Sequence, residues 1–87
     1  LTLQCFINGE KRQDGNTADM IFSVNRIISE LSFGMTLLPG DLILTGTPDG
    51  VGAGRTPQVF LQAGDQIQTS ISGLGELRNT VSLQSLA

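Results

Sequence analysis

The sequence contains no histidine. A histidine general base or metal ligand, where the chemistry needs one, must therefore come from outside these residues. A single cysteine, Cys5, excludes an internal disulfide; its place in an apolar strand pattern predicts packing rather than chemistry. Positive charge is scarce: five Lys and Arg stand against eight Asp and Glu, and no basic run is longer than Lys11-Arg12. Nucleic-acid binding needs a positive stripe, so that class is excluded. Unbroken apolar runs extend only a few residues, too short for a membrane span, and no charged start with an apolar stretch suggests export; the expectation is a cytoplasmic chain. Charged residues make up only 15% against 39% hydrophobic, an apolar balance for a free-standing chain, which implies surfaces covered by a partner or by further sequence. At 87 residues the chain is at most one small domain with a modest core, marginal alone. It opens on Leu1 and runs straight into a strand pattern, so residue 1 is expected to be a cut through a longer protein.

What is present reads as a β-rich mixed α/β layer with one short helix. Leu1, Leu3, Cys5 and Ile7 alternate with Thr2, Gln4 and Phe6, the period of a strand. Asn8-Gly9 suits a tight hairpin that returns Glu10 to Gln13 as a polar edge strand, and Asp14-Gly15-Asn16 reads as a second turn. A helix of about ten residues is predicted next, with Ser23 as its cap, Ile27, Ile28 and Leu31 as its apolar stripe and Gly34 as its stop. Beyond it, Leu42-Ile43-Leu44 reads as a buried strand, Thr45 to Arg55 as a loop with glycines at 46, 50, 52 and 54, and Val59-Phe60-Leu61 as a further strand. Gln66 to Ile71 and Leu77 to Leu83 complete the layer, with Leu77, Val81 and Leu83 expected to face inward. Leu-x-x-Gly-Asp-x-Ile occurs at Leu37 and again at Leu61, a turn feeding a strand. Two copies are too few for a solenoid.

The run from Leu42 to Gly52 is where a rigid strand would deliver hydroxyls and backbone amides into a glycine-rich loop. Thr45 and Thr47 would point the same way if the strand persisted, and Pro48 holds Thr47 extended. Threonine hydroxyls and neighbouring N–H groups can hold a carboxylate or oxo group. Taken alone, the string reads equally as a strand ending in a structural loop. It lacks the lysine of a phosphate loop and the glycine spacing of a dinucleotide site. Asp41, Asp49 and Asp65 sit beside glycines in turn positions, and the remaining acids are scattered, so no metal ligands are assigned within the chain. Asp49 and Arg55 lie in the glycine loop, as solvated charges or within reach of a ligand.

Four strings together resemble the fumarylacetoacetate hydrolase family, in the branch of fumarylpyruvate hydrolases, acylpyruvases and homoprotocatechuate-pathway isomerase/decarboxylases. They are Phe6 to Glu10, Gln13 to Ser23, Leu38 to Gly52, and Gly64-Asp65 followed by Ile71 to Leu77. They run in the order of that family's C-terminal portion, so the resemblance implies that residues 1–87 are the C-terminal part of one catalytic domain with a β-roll fold. It further implies a homodimer and a Mg2+ or Mn2+ ion whose Asp and two Glu ligands lie upstream. The activity implied is hydrolysis of a carbon–carbon bond in an acylpyruvate-type 2-oxo acid to pyruvate and a carboxylic acid, with water activated by an upstream Glu–His pair. A decarboxylase, isomerase or hydratase acting on related 2-oxo acids, or an inactive truncated module, is the alternative. Thr47 matches the family threonine that contacts the substrate carboxylate or oxo group; Gly46, Thr45 and Gln13 are further candidates for the substrate pocket. No catalytic residue is assigned, and the chain alone is expected to be inactive. Asp49 stands where many members have alanine or glutamate, and residues 53–62 match only loosely.

Overall fold

The computed structural model describes residues 1–84 and contains a four-stranded antiparallel sheet in the order β2-β1-β3-β4, formed by β1 (Thr2–Ile7), β2 (Glu10–Asn16), β3 (Gln66–Ile71) and β4 (Gly75–Thr80). One helix, α1 (Val24–Ser32), follows a 3-10 turn at Thr17–Asp19. The β-rich reading with one short helix is therefore the observed architecture. None of the helices described is long and apolar enough to cross a membrane.

The register explains the sheet's two faces. Leu3, Cys5 and Ile7 of β1 stand opposite Ile71, Thr69 and Ile67 of β3, and Thr69 pairs with Leu77 of β4, so one face is apolar. The other carries polar side-chain contacts: Lys11 to Asp14 at 2.9 Å along β2, Gln68 to Glu76 at 2.9 Å between β3 and β4, and Arg78 to Glu76 along β4. Asn8 at φ 51 and Gly9 at φ 79 make the tight hairpin between β1 and β2, as their sequence predicts. Ser23 caps α1 by accepting the Arg26 N–H at 3.1 Å.

The repeated Leu-x-x-Gly-Asp motif builds the same turn twice. The Asp41 N–H donates to the Leu38 carbonyl while the Asp41 carboxylate accepts the Leu38 N–H at 2.8 Å. Asp65 repeats both bonds with Gln62, the side-chain one at 2.9 Å. Gly40 at φ 94 and Gly64 at φ 92 occupy the third position, where this turn type requires a positive φ. Asp65 also accepts the Asn8 side-chain amide at 3.0 Å, and the Asn8 side-chain oxygen accepts the Gln66 N–H at 2.9 Å. The hairpin tip is thereby tied to the start of β3.

These bonds, the Gln62 N–H first and the Asn8 amide second, hold the Asp65 carboxyl below its ordinary value of 3.8. A depressed carboxyl contributes stability that is fully present above the unfolded value and is lost as pH falls through the folded one. The Gln62 amide resonance should therefore titrate with a midpoint below 3.8, and in Asp65→Ala that amide should exchange freely with solvent. A midpoint at or above the ordinary value would contradict the clasp.

Several expectations give way. Asp14-Gly15-Asn16 is not a turn but the end of β2, paired with Gln4, Leu3 and Thr2; ladder bonds to β1 override the local turn preference. Leu42-Ile43-Leu44 and Val59-Phe60-Leu61 form no strands among the described residues. An apolar run becomes a strand only when a neighbouring strand takes up its backbone groups in a ladder; among the described residues Val59 makes one such bond, its N–H to the Gly52 carbonyl at 3.0 Å, and no ladder follows, while Leu42 and Leu44 are 91% and 96% exposed. Leu77 and Leu83 are exposed rather than inward, and Cys5 is half-buried. Helix α1 ends at Ser32, before Gly34, which does not adopt a positive φ. No described residue is fully buried.

Candidate functional site

The glycine-rich loop is laid along β2, and each contact depends on a particular residue type. A bulge between Cys5 and Phe6 leaves Arg12 without a partner in the register, since Cys5 faces Gln13 and Phe6 faces Lys11. The Arg12 carbonyl accepts from Arg55 Nη2 at 3.1 Å, while Arg55 Nε donates to the Gly50 carbonyl at 3.2 Å. Arg55 is therefore a half-buried clamp between loop and strand. Gly50, at φ +108, passes so close that an added Cβ would lie 2.0 Å from the Arg12 oxygen. One pleat further along β2, Gly15 leaves room for Pro48, whose ring would stand 2.9 Å from a Cβ there.

Between these two contacts lies Gln13. Its side-chain amide nitrogen donates to Thr47 Oγ1 at 2.8 Å and to the Pro48 carbonyl at 2.8 Å. The structure thus brings together Gln13 and Thr47, two residues 34 positions apart that the sequence proposes separately. Thr45, Gly46 and Thr47 line one groove of about 550 Å3, bounded on the other side by the end of β2 and the 3-10 turn. They reach it without the strand alternation expected of them: Gly46 adopts φ +104 and breaks the extended run. Gln13 stands behind Thr47 and is not among the groove's lining residues.

The groove is acidic. Asp14, Asp19 and Asp49 line it, and no Lys or Arg does. Lys11 bonds to Asp14 and, with Gln4 second, holds its carboxyl below the ordinary range. Among the described residues no group of three or more His, Cys, Asp or Glu could hold a metal ion. The chemistry on offer is hydrogen-bond donation from neutral hydroxyls and backbone, which can orient an oxygen ligand. A positive charge to attract an anion would have to come from elsewhere. The contributions of Arg12, Gly15, Gly50 and Arg55 were not assigned from sequence; an arginine inside a glycine-rich run beside Pro48 is the signal that could have pointed to them.

Residues 1–82 match the family described as Fumarylacetoacetate (FAA) hydrolase C-terminal. An oxaloacetate tautomerase, YisK, of Bacillus subtilis is 51% identical over 81 residues, 93% of this chain and 27% of its own length. The fumarylacetoacetate hydrolase of Exiguobacterium antarcticum is 49% identical, with a TM-score of 0.90 over 95% of this chain and 30% of its own. A probable 2-hydroxyhepta-2,4-diene-1,7-dioate isomerase from Mycobacterium abscessus is 37% identical, with a TM-score of 0.88 over 97% of this chain and 32% of its own. The chain spans about a quarter of the length of the curated relatives it matches.

Proposed function

This chain belongs to the fumarylacetoacetate hydrolase family, matching its C-terminal part, and from that premise we propose that it forms part of the substrate pocket of an enzyme that enolises small 2-oxo acids. The observation that carries the reaction class is the 51% identity to an oxaloacetate tautomerase, seconded by the fold shared with an isomerase. These favour proton-shifting chemistry over the acylpyruvate hydrolysis that the resemblance of the sequence strings implies. Hydrolysis is the second reading, favoured by the TM-score of 0.90 to a fumarylacetoacetate hydrolase. Both reactions pass through removal or delivery of a proton beside a 2-oxo group, so both need the acid end of the substrate held still.

Holding is the part that these residues can play. The Thr47 and Thr45 hydroxyls, with Gly46 letting the backbone come close, grip a carboxylate or 2-oxo oxygen. The groove offers no histidine, and this reading assigns the proton transfers to residues outside this chain. The described residues do not suit a Mg2+ or Mn2+ ion either; in this reading its ligands also lie in the remainder of a longer polypeptide. The same reading takes the protein as a homodimer, which sedimentation of the longer polypeptide tests.

Supplying the longer polypeptide with oxaloacetate and with an acylpyruvate, in the presence of Mg2+, separates the readings. Tautomerisation without release of pyruvate plus an acid supports the first. Pyruvate release from the acylpyruvate alone moves the assignment to the second. Within either, Thr47→Ala removes one hydrogen bond to a charged ligand, about 1.5 kcal/mol, and should raise KM about tenfold. Mg2+ affinity should hardly change. An equal loss of metal affinity in titration would count against the assigned role.

A further inference from the structure

Gln13 reaches toward the pocket without lining it, and the direction of its hydrogen bonds can be worked out. A primary amide shows two faces, a carbonyl that accepts and an NH2 that donates twice, and from atom positions alone the two are interchangeable. The Pro48 carbonyl resolves the ambiguity. It can only accept, so the group 2.8 Å from it must be the NH2. Thr47 Oγ1 lies 2.8 Å from that same nitrogen, so it receives the second N–H and is the acceptor of that bond. A threonine hydroxyl that accepts from one side has its own hydrogen left to give, and Thr47 donates to nothing among the described residues. That hydrogen is free to turn toward the groove that Thr47 lines.

From this we propose that Gln13 is a positioning residue: by donating to both Pro48 and Thr47 it fixes the Thr47 hydroxyl with its hydrogen free to give, favouring ligands that present an acceptor oxygen there. The proposal rests on the function given above and adds to it the polarity of the pocket. Its geometry is rigid where it needs to be. Gln13 is held in the β1–β2 ladder opposite Cys5, next to the bulge, so its side chain starts from a fixed point. Both of its N–H bonds are spent, and what remains is a carbonyl oxygen, which would repel a carboxylate. Direct contact between Gln13 and an acidic substrate is for that reason the poorer use of the residue. A carboxylate or 2-oxo oxygen takes the Thr47 hydrogen well; a ligand offering an ammonium or amide N–H at that point has only the one remaining lone pair to use and leaves the Thr47 hydrogen unpaired.

The deciding experiment is a double-mutant cycle on the longer polypeptide with oxaloacetate as the probe, near neutral pH. Gln13→Glu keeps the shape but replaces two donors with acceptors, so the introduced carboxylate takes up the Thr47 hydrogen. KM should rise about tenfold or more, with kcat changing less than about threefold. Thr47→Val, which keeps the volume and deletes the hydroxyl, should show a comparable rise. The combination Gln13→Glu with Thr47→Val should add little to the loss of Thr47→Val alone, because Gln13 reaches the ligand through that hydroxyl, while its bond to Pro48 touches only the loop backbone. If Gln13→Glu fails to fold, Gln13→Met runs the same cycle, with a smaller single effect and the same absence of further loss. A Gln13 variant that binds oxaloacetate like the wild type, or whose loss adds in full to that of Thr47→Val, overturns the inference and leaves the function standing. Wild-type protein that neither binds nor converts oxaloacetate overturns both.

Discussion

Alone in solution at micromolar concentration, the 87-residue chain should unfold without a cooperative transition and should bind a hydrophobic dye before it is heated. The reason lies in its surface. A compact folded chain of 9.2 kDa exposes about 4,900 Å2, whereas this one exposes 7250 Å2. The excess of about 2,300 Å2 is what one side of a large permanent interface covers. Its radius of gyration, 16.2 Å, likewise exceeds the roughly 12 Å of a compact domain of this length. The exposed area is apolar: Ile21, Phe33, Leu42 and Leu44 are each more than nine-tenths exposed. Every such side chain forgoes about 1.5–3 kcal/mol that burial would provide, while the cost of ordering the backbone is undiminished. Far-UV circular dichroism during heating, repeated across concentrations, reads the outcome. A broad, sloping trace that sharpens only as concentration rises, or when the remainder of a longer polypeptide is supplied, is expected. A sharp melt independent of concentration would show that the sheet's polar clasps suffice, and would remove the need for any covering partner.

The elements that were legible in the sequence are those whose cause is local. Asn8-Gly9 states its own turn because few residues accept two consecutive positive φ values. Ser23 states a helix start because its side chain must satisfy an N–H three residues on. The repeated Gly-Asp pair states its turn twice because the carboxylate caps the residue three before it. What local pattern could not state is whether a partner exists. Leu42 to Leu44 and Val59 to Leu61 have the composition of strands and lack the neighbour that would make them so. Asp14 to Asn16 have the composition of a turn, yet they are drawn into the sheet by a neighbour the sequence does not display. Context prevailed in both directions.

The site divides in the same way. Thr47 and Gln13 both came forward from the family strings, each on its own account, and nothing in a spacing of 34 residues predicts that one donates to the other. Their meeting depends on the bulge at Arg12, on the missing side chains at Gly15 and Gly50, and on Arg55 closing the loop against the strand. The only local trace is the arginine inside the glycine-rich run; the rest work by what they lack or by which distant carbonyl they find. Reading a glycine count in residues 45–55 reveals that the chain bends there; it does not reveal which glycine is pressed against backbone.

That difference among glycines yields a sharp mutational contrast. Gly40 and Gly50 both adopt positive φ, +94 and +108, so alanine at either carries the backbone strain of an unfavourable conformation, about 1–3 kcal/mol. At Gly40 nothing lies within 4 Å of the added carbon, so strain is the whole cost. At Gly50 the carbon would also sit 2.0 Å from the Arg12 carbonyl oxygen, a backbone atom that cannot swing aside. Relief requires the loop to lift from β2, which breaks both Arg55 bonds, to Gly50 and to Arg12, and carries Pro48 and Thr47 away from Gln13. In denaturant unfolding of the longer polypeptide, Gly50→Ala should therefore lose at least about twice the stability lost by Gly40→Ala, adding orphaned hydrogen bonds at about 1 kcal/mol each to the strain. Binding should separate the two further: Gly40→Ala leaves the KM for oxaloacetate near the wild-type value, whereas Gly50→Ala raises it at least as far as Thr47→Ala does. Equal losses of stability at the two positions would mean that the loop does not rest on the strand as described, and the coupling between Gln13 and Thr47 would lose its foundation.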